Sequence, residues 1–337
     1  ACSRAVLPPV PGIDSSKVYT NDNVMRMDEL PARMVVIGGG GIAAEFSHVF
    51  SAFGTEVTQL NRSSRLLRGV DEEVVARFEE AASKQWNIVK DASLSEIREN
   101  ADGSVTVVAK HTTENGEELL EIPADAVLVA TGRRPNTDTL NAKNYFDVQD
   151  GGQLSVDKYQ RVLYNGAPVP GVYALGDVSS RYQLKHVANH EARVVQHNLS
   201  HPEDLRASDH RYVPAAVFSN PQIAVVGMTE EQARQAAERE GFEITVKAQN
   251  FGDTAYGWAM EDKIGLCKLI ARKDNGELLG AHLVGEESSV LIQPLLQAMS
   301  FGMDARTLAR GQYWIHPALT EIVENALLGL EFNEPAN

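Results

Sequence analysis

Residues 34–37 form an uninterrupted apolar run that leads directly into a cluster of glycines at residues 38–41. Residues 42–53 follow as a helix-forming run, and Gly54 stands where a glycine commonly ends a helix. The next apolar segment, residues 56–60, has the length of a strand. This order predicts a buried strand, a tight glycine turn, a helix and a second parallel strand.

Apolar spacing predicts the elements of the remaining chain in the same way. It predicts helices at residues 21–30, 71–84, 187–199, 229–241, 288–301 and 318–328. It predicts strands at residues 93–98, 104–110, 119–122, 126–130, 243–249, 266–271 and 278–284. Asp102-Gly103 and Asn115-Gly116 are turn dipeptides between the first three of these strands, and a capping box begins at Thr229. The predicted fold class is an α/β nucleotide-binding unit with a three-stranded β insertion, followed by a C-terminal α+β domain.

Composition narrows the classes of partner. The chain has 337 residues, 31 basic against 46 acidic side chains and a formal net charge of −15. This charge disfavours a nucleic acid or an anionic membrane as a partner of the whole surface, and no apolar run is long enough to span a bilayer. Cys2 and Cys267 lie far apart and suggest neither a disulfide framework nor a metal site. We therefore expect a reducing, cytoplasmic environment.

The glycine cluster carries the first chemical prediction. Gly38, Gly40 and Ala43 match the Gly-x-Gly-x-x-Ala form of the dinucleotide-binding turn in Rossmann-like units. Gly38 makes the tight turn, Gly40 lets a pyrophosphate approach the backbone, and Ala43 packs the helix against the strand. The helix amides and dipole then face the anion. The alternative is a glycine-rich turn that binds no nucleotide.

The end of the second strand predicts which dinucleotide is bound. An acidic residue commonly stands here to accept a hydrogen bond from the ribose 2′-hydroxyl of NAD. This chain instead has Asn61 followed by Arg62, Arg65 and Arg68. Because guanidinium groups chelate a phosphate, the segment favours NADP over NAD, with Arg62 and Arg68 as the phosphate ligands. The alternative interpretation is a basic turn that is merely solvated.

Further signatures follow the glycine turn and its Glu45. Residues 130–136 read Ala-Thr-Gly-Arg-Arg-Pro-Asn, residues 173–177 read Tyr-Ala-Leu-Gly-Asp, and a His-Pro pair at residue 316 precedes Glu321. In this order they resemble the FAD- and pyridine-nucleotide-dependent disulfide oxidoreductases, which include glutathione reductase and dihydrolipoamide dehydrogenase. The resemblance covers essentially the whole chain. Within that family, the C-terminal segment is most similar to the mycothione reductase group of actinobacteria.

The resemblance implies a domain order. Residues 1–23 would be a remnant of an FAD domain and its linker, and residues 24–137 the NADP-binding domain. Residues 138–211 would be the second section of the FAD domain, and residues 212–337 a dimerisation domain. It also implies a homodimer with a shared active site, in which electrons pass from NADPH through FAD and a cysteine pair to a low-molecular-weight disulfide, here mycothiol disulfide.

The resemblance also implies catalytic roles. His316 would act as the acid that protonates the departing thiolate, on the cysteines of the partner subunit, and Glu321 would orient its ring. Glu45 would pair with a lysine beside the flavin. Gly41 departs from the family, which often has an aromatic gate over the flavin at this position.

Cofactor contacts are implied in the same way. Gly132 belongs to the second signature and is assigned to cofactor binding. Asp177 would accept a hydrogen bond from the FAD ribityl chain, and His186 and Val187 would bring backbone near the pyrimidine end of the flavin.

The family's FAD-binding glycine turn and its redox-active Cys-x4-Cys motif do not occur in these residues. We therefore expect an additional section of about one small domain, and a fragment without it to be inactive and a doubtful binder of FAD. Two alternatives stay open. One is an NAD-linked dihydrolipoamide dehydrogenase-like enzyme, and the other is a non-catalytic nucleotide-binding and dimerisation module.

Overall fold

The computed structural model describes residues 2–333. Ala1 and residues 334–337, which the sequence places at the ends of the first and last domains, lie outside the described residues. The strands are β1 (Ser3–Ala5), β2 (Val18–Tyr19), β3 (Arg33–Ile37), β4 (Glu56–Leu60), β5 (Asn87–Val89), β6 (Ala92–Glu99), β7 (Val105–Thr113), β8 (Gly116–Ala124), β9 (Ala126–Val129), β10 (Arg133–Pro135), β11 (Arg161–Tyr164), β12 (Ala167–Tyr173), β13 (Ala215–Val217), β14 (Gln222–Gly227), β15 (Ile244–Asn250), β16 (Leu266–Arg272) and β17 (Leu278–Gly285).

The α-helices are α1 (Gly41–Ala52), α2 (Glu72–Ala82), α3 (Lys185–Ser200), α4 (Glu230–Glu240), α5 (Ala255–Ala259), α6 (Ser288–Leu291), α7 (Gln293–Phe301), α8 (Ala305–Arg310) and α9 (Thr320–Leu328). Short 3₁₀ turns lie at Val24–Arg26, Ala142–Asn144, Gly176–Val178 and Phe251–Asp253. Backbone contacts divide the chain into two units. The first unit comprises Ala1–Pro8, Thr20–Met25 and Thr131–His210, and the second comprises Pro9–Tyr19, Arg26–Ala130 and Arg211–Asn337. The predicted four-domain boundaries stay a prediction.

The second unit is built on a parallel sheet with the order β2-β9-β3-β4-β5. Strand β3 pairs with β9 on one edge and with β4 on the other, and Met34, Val35 and Val36 are almost completely buried. A central parallel strand is covered on both faces, so its sequence is continuously apolar rather than alternating. This explains why the run at residues 34–37 marks the centre of the sheet.

The second unit contains two further sheets. The antiparallel sheet β6-β7-β8 is the predicted three-stranded insertion, and the antiparallel sheet β13-β14-β17-β16-β15 belongs to the C-terminal part. The capping box at the start of α4 is present, because the Thr229 hydroxyl accepts from the Gln232 amide and the Gln232 side chain accepts from the Thr229 amide. The predicted fold class is confirmed.

The first unit consists of two strand pairs and one long helix. Strand β1 pairs antiparallel with β10, and β11 pairs antiparallel with β12. Ala142, Leu154, Val162, Ala174 and Val178 form a small buried cluster beside the second pair. The start of the chain is thus held by the segment that carries the second signature.

Four local predictions differ from the structure. The predicted helix at residues 21–30 is reduced to the 3₁₀ turn Val24–Arg26. The predicted helix at residues 288–301 is two helices, with Pro294 in the first turn of the second one, where proline is tolerated because that amide needs no helical partner. The short helices α5 and α8 are absent from the prediction, since neither reaches two turns.

Phe251 fixes the segment that leads into α5. Its ring is fully buried, and two glycines leave the space for it: Gly265, just before β16, and Gly285, at the end of β17. A Cβ at Gly265 would collide with the ring, and one at Gly285 would lie 2.6 Å from its Cε2 atom. Small residues at these positions are therefore a packing requirement.

Replacing Gly265 with alanine should lower the free energy of unfolding by about 1–3 kcal/mol, because the added methyl overpacks the Phe251 site. Urea denaturation measures this change. Gly69→Ala is the matched control, since a Cβ at Gly69 would have no atom within 4 Å and the φ of this residue is not positive. Equal midpoints for the two variants would contradict the packing argument.

Candidate functional site

The glycine turn lies at the carboxyl end of β3. Gly38 has a φ of +141°, and a Cβ there would collide with the Ala130 carbonyl oxygen. Gly40 is the exposed N-cap of α1, and no atom lies within 4 Å of where its Cβ would be. Ala43 is fully buried, and its methyl lies 3.5 Å from the position of a Gly38 Cβ. The open side of the turn at Gly40 therefore has room for a phosphate group at the start of a helix.

Two buried side chains support this turn from below. The Gln59 Nε2 amide donates to the Gly38 carbonyl over 2.9 Å, and the Trp86 indole donates to Gln59 Oε1 over 3.0 Å. Gln59 is completely buried and Trp86 nearly so. The sequence analysis missed both residues, because neither is local to the glycines.

The segment of residues 61–70, here called the coenzyme loop, is shaped by its own side chains. Asn61 is buried, and its Nδ2 donates to the Ser63 and Arg65 carbonyls over 2.6 Å and 2.9 Å. The Leu67 amide donates to the Gly39 carbonyl over 2.8 Å, which ties the loop to the glycine turn. Asn61 therefore shapes the loop through these hydrogen bonds, and it also places no carboxylate at this position.

The three arginines of the coenzyme loop are not equivalent. Arg65 is partly buried, and its Nη2 donates to the Val70 carbonyl over 2.6 Å, so it stabilises the loop. Arg62 and Arg68 are exposed, and their guanidinium groups make no hydrogen bond or ion pair with residues 2–333. These two side chains are available to an anionic ligand.

In the first unit, Asp177 is joined to the start of the chain. Its Oδ2 accepts from the Ser3 hydroxyl over 2.5 Å, and Ser3 Oγ accepts from Arg133 Nε over 2.7 Å. Oδ1 of Asp177 has no partner within the part of the chain that the structure describes. That oxygen can accept a hydrogen bond from a hydroxyl group. Gly132, next to Arg133, is exposed, with a φ of +129° and open space around it.

Helix α3 starts close to the Asp177 turn. His186 and Val187 lie in its first turn. Glu191, one turn further along, accepts from the Gly176 amide through Oε2 over 2.6 Å. Glu191 is 1% exposed and was missed by the sequence analysis, although a carboxylate on the buried face of a helix is an unusual pattern.

In the second unit, Glu45 is held by a backbone amide. Its Oε1 accepts from the Phe218 amide over 2.9 Å, which links α1 to the end of β13. A Cβ at Gly41 would lie 3.5 Å from Val217 Cγ2. Val217 therefore borders the space into which a larger side chain at position 41 would extend.

His316 and Glu321 form a close pair. His316 Nδ1 lies 2.8 Å from Glu321 Oε1, and Oε2 accepts from the Ala318 amide over 3.2 Å. The hydrogen bond with His316 lowers the pKa of the Glu321 carboxyl, so the group stays ionised. Since a carboxylate only accepts, Nδ1 carries a proton, and Nε2 is left to act on other groups. The His316 side chain is 69% exposed.

An open depression of about 670 Å³ lies beside His316. Trp258 on its wall is 77% exposed, and Tyr256 is 42% exposed. Asp253 is its one carboxylate, and no lysine or arginine is among its described lining residues. The lining residues are Gly252, Asp253, Thr254, Ala255, Tyr256, Trp258, Ala259, His316 and Pro317.

The cysteines offer no redox pair. Cys2 is exposed, whereas Cys267 is completely buried on β16, and burial raises the pKa of its thiol.

Within residues 2–333, no three histidine, cysteine, aspartate or glutamate side chains are grouped to hold a metal ion. No helix of the described chain has the length and apolar character needed to cross a bilayer.

Comparison with known proteins agrees with this geometry. Residues 2–192 match the family described as pyridine nucleotide-disulphide oxidoreductase, and residues 213–327 match its dimerisation domain. Mycothione reductase from Mycobacterium tuberculosis is 51% identical over 335 residues, which are 98% of this chain and 69% of that protein. Dihydrolipoyl dehydrogenase from Synechocystis is 33% identical, with 95% of this chain and 67% of that protein covered.

A solved structure shows the same fold. The HOCl-induced flavoprotein disulfide reductase RclA from Escherichia coli superposes with a TM-score of 0.84 at 28% identity, covering 97% of this chain and 72% of that one. The match extends over the nucleotide-binding and dimerisation parts alike. The chain therefore belongs to the pyridine nucleotide-disulphide oxidoreductase family.

Proposed function

We propose that these residues are part of an NADPH-dependent flavoprotein disulfide reductase that acts on mycothiol disulfide. The observation that carries the proposal is the His316–Glu321 pair, 2.8 Å apart and next to an open depression. A histidine held by a carboxylate can deliver a proton to a departing thiolate. Membership of the disulphide oxidoreductase family supports that chemistry.

NADPH is favoured as the electron donor. Gly38, Gly40 and Ala43 leave room for the pyrophosphate at the start of α1. The exposed guanidinium groups of Arg62 and Arg68 are suited to the 2′-phosphate, because no other group in the described chain neutralises them. A carboxylate that would repel this phosphate is absent from position 61.

FAD suits the residues of the first unit. The unpaired Oδ1 of Asp177 would accept from a ribityl hydroxyl, and the first turn of α3, with His186 and Val187, would bring backbone near the pyrimidine end of the flavin. FAD, when bound, supplies the step between a hydride carrier and a thiol. Glu191 orients both segments, because it binds the Gly176 amide from within α3.

His316 would protonate the departing thiolate. With Nδ1 bonded to Glu321, Nε2 of the protonated ring can donate to the sulfur that leaves when the disulfide opens. Glu321 fixes the orientation of the ring. Glu45, held by the Phe218 amide, keeps a carboxylate beside the start of α1, where the proposed lysine partner would meet it.

The redox cysteines must come from elsewhere in this proposal. Cys2 and Cys267 do not form a Cys-x4-Cys pair, so a flavin-binding section outside these 337 residues would supply that pair. The dimerisation domain supports a homodimer, in which His316 of one protomer would serve the cysteines of its partner. The 337 residues alone are then inactive as a reductase. Reducing cytoplasm is the compartment that suits the free thiols.

The depression beside His316 supports mycothiol disulfide as the substrate. Glutathione disulfide carries several carboxylates, and the described lining has no cation to receive them. Mycothiol carries a sugar and an inositol ring instead. Their C–H faces can pack on the exposed rings of Trp258 and Tyr256, while hydroxyl groups bond to the polar edges. The 51% identity to mycothione reductase points in the same direction.

An NAD-linked dihydrolipoamide dehydrogenase is the second candidate. Its support is the 33% identity to dihydrolipoyl dehydrogenase from Synechocystis. Arg62 and Arg68 disfavour it, since NAD has no phosphate to bind them. A non-catalytic nucleotide-binding and dimerisation module is the third candidate, and the lack of a cysteine pair in this chain is its motivation.

Changing Arg62 and Arg68 together to alanine should weaken binding of 2′,5′-ADP at least about tenfold, because two charge-assisted hydrogen bonds to the 2′-phosphate are lost. Binding of 5′-AMP should change little. Isothermal titration calorimetry on the 337-residue chain measures both. Arg239→Ala with Arg310→Ala, at exposed positions of α4 and α8, removes the same charge elsewhere and should leave both affinities unchanged. Equal losses for both nucleotides would remove the 2′-phosphate assignment.

Substrate preference is tested on a polypeptide that carries these residues together with the flavin-binding section. NADPH consumption should be fastest with mycothiol disulfide and slow with glutathione and lipoamide disulfides. Trp258→Leu should raise KM for mycothiol disulfide about tenfold, with little change in kcat, because binding contacts are lost and the proton donor is kept. Phe53→Leu controls for loss of an exposed aromatic ring, because Phe53 lies at the C-terminal end of α1 and does not line the depression. Preference for lipoamide disulfide would favour the second candidate, and no reductase activity with any disulfide would favour the third.

A further inference from the structure

A buried charged cluster lies at the end of the coenzyme loop, in the second unit. Asp71 follows the loop directly and is 2% exposed. Its Oδ1 accepts from the Glu73 amide over 3.2 Å, and its Oδ2 accepts from the Glu230 amide over 3.0 Å. This carboxylate therefore caps α2 of the nucleotide-binding part and also accepts from the first amide of α4 in the C-terminal part.

Lys268 on β16 holds this carboxylate from the C-terminal part. It is 5% exposed, and its Nζ lies 2.9 Å from Asp71 Oδ1. The same Nζ lies 2.7 Å from Glu230 Oε2 and 3.2 Å from Glu73 Oε2. The cation is thus surrounded by carboxylates of both parts.

His282 on β17 binds the backbone amide of Asp71. It is 1% exposed; its Nδ1 accepts from the Asp71 amide over 3.3 Å, and its Nε2 donates to the Met228 carbonyl over 3.0 Å. Since a carbonyl oxygen only accepts, Nε2 carries the proton and Nδ1 is the acceptor. Burial lowers the pKa of His282, which is consistent with this neutral form.

The cluster leaves the coenzyme loop fixed at both ends. Asn61 and the Leu67–Gly39 bond hold its first part against the glycine turn. At the other end, the amide and the carboxylate of Asp71 are both held from the C-terminal part. Arg68 lies three residues before Asp71, so its direction depends on where Asp71 is held.

Stability alone does not explain this choice of residues. Removing an ammonium group and several carboxylates from water is costly, and an apolar cluster of the same size is often as stable. The charged groups instead fix the orientation of the Asp71 side chain, because each of its oxygens accepts from specific donors. A cluster of this kind is suited to fixing the geometry of a neighbouring segment.

We propose that Lys268 and His282 are positioning residues for the 2′-phosphate of the coenzyme. They act through Asp71 on the coenzyme loop and so on Arg62 and Arg68. The inference rests on the proposed use of NADPH. It adds that selectivity for the phosphorylated coenzyme is set partly from the C-terminal part, by residues that do not touch the coenzyme.

The test measures affinities of the 337-residue chain for 2′,5′-ADP and 5′-AMP by calorimetry. Lys268→Met should weaken 2′,5′-ADP about fivefold and leave 5′-AMP within twofold, because the arginines lose their alignment while the glycine turn is intact. Lys84→Met is the matched control, since Lys84 lies just beyond α2 but is exposed, and it should change neither affinity. A role in stability alone would lower the melting temperature without changing the ratio of the two affinities.

Two variants of His282 keep the test decisive if Lys268→Met does not fold. His282→Leu removes the acceptor for the Asp71 amide and should lower the 2′,5′-ADP to 5′-AMP selectivity. His282→Gln offers a carbonyl acceptor in its place and should restore most of it. Identical selectivity for wild type, His282→Leu and His282→Gln would overturn the proposal.

The wild type and the Arg62/Arg68 double variant test the assignment of NADPH separately from the positioning role of Lys268 and His282. If the wild type binds 2′,5′-ADP no tighter than 5′-AMP, the assignment of NADPH fails and the positioning role fails with it. If the wild type is selective and the arginine variant is not, the assignment stands. Unchanged selectivity in the Lys268 and His282 variants would then refute the positioning role alone.

Discussion

The burial of β3 is the constraint on which the second unit depends. This strand is hydrogen-bonded along both edges, to β9 and to β4, and its side chains are covered on both faces. A strand held in this way cannot shift its register without exposing apolar surface. The turn that follows it at Gly38 is therefore fixed in space, and with it the start of α1 and the position of Glu45. The open side of the glycine turn therefore owes its geometry to this pairing.

Several carboxylates of the described chain have both oxygens engaged and join separate segments. Glu321 joins the His316 ring to the start of α9, and Glu191 joins α3 to the Gly176 amide through Oε2 and to His210 Nε2 through Oε1. Asp71 joins two helices that are remote in sequence. In each case one side chain satisfies donors from two segments, and leaving either donor unsatisfied would carry a desolvation cost. Orientation in this protein is thus achieved by shared acceptors more than by apolar packing alone.

Sequence periodicity predicted the elements that have a local cause. The apolar run of β3, the capping box at Thr229 and the three-stranded insertion all follow from neighbouring residues, and the structure confirms them. The short helix α5 was missed because five residues with a central glycine give too little periodic signal. Arg65 could not be separated from Arg62 and Arg68 by sequence, since only its partial burial and its hydrogen bond to the Val70 carbonyl distinguish it. Contacts between side chains that are far apart in the sequence leave no local sequence pattern from which they could be predicted.

The sharing of Asp71 between two helices also bears on how this chain can change over generations. The capping donors and the buried ammonium group belong to stretches separated by 197 positions in the case of Lys268. A recombination event that imported only one of these stretches from a distant relative would leave either a buried cation or a buried anion without its counterpart. A chimera that exchanges one of these stretches therefore keeps the ionic contact only where the donor sequence carries the matching charge.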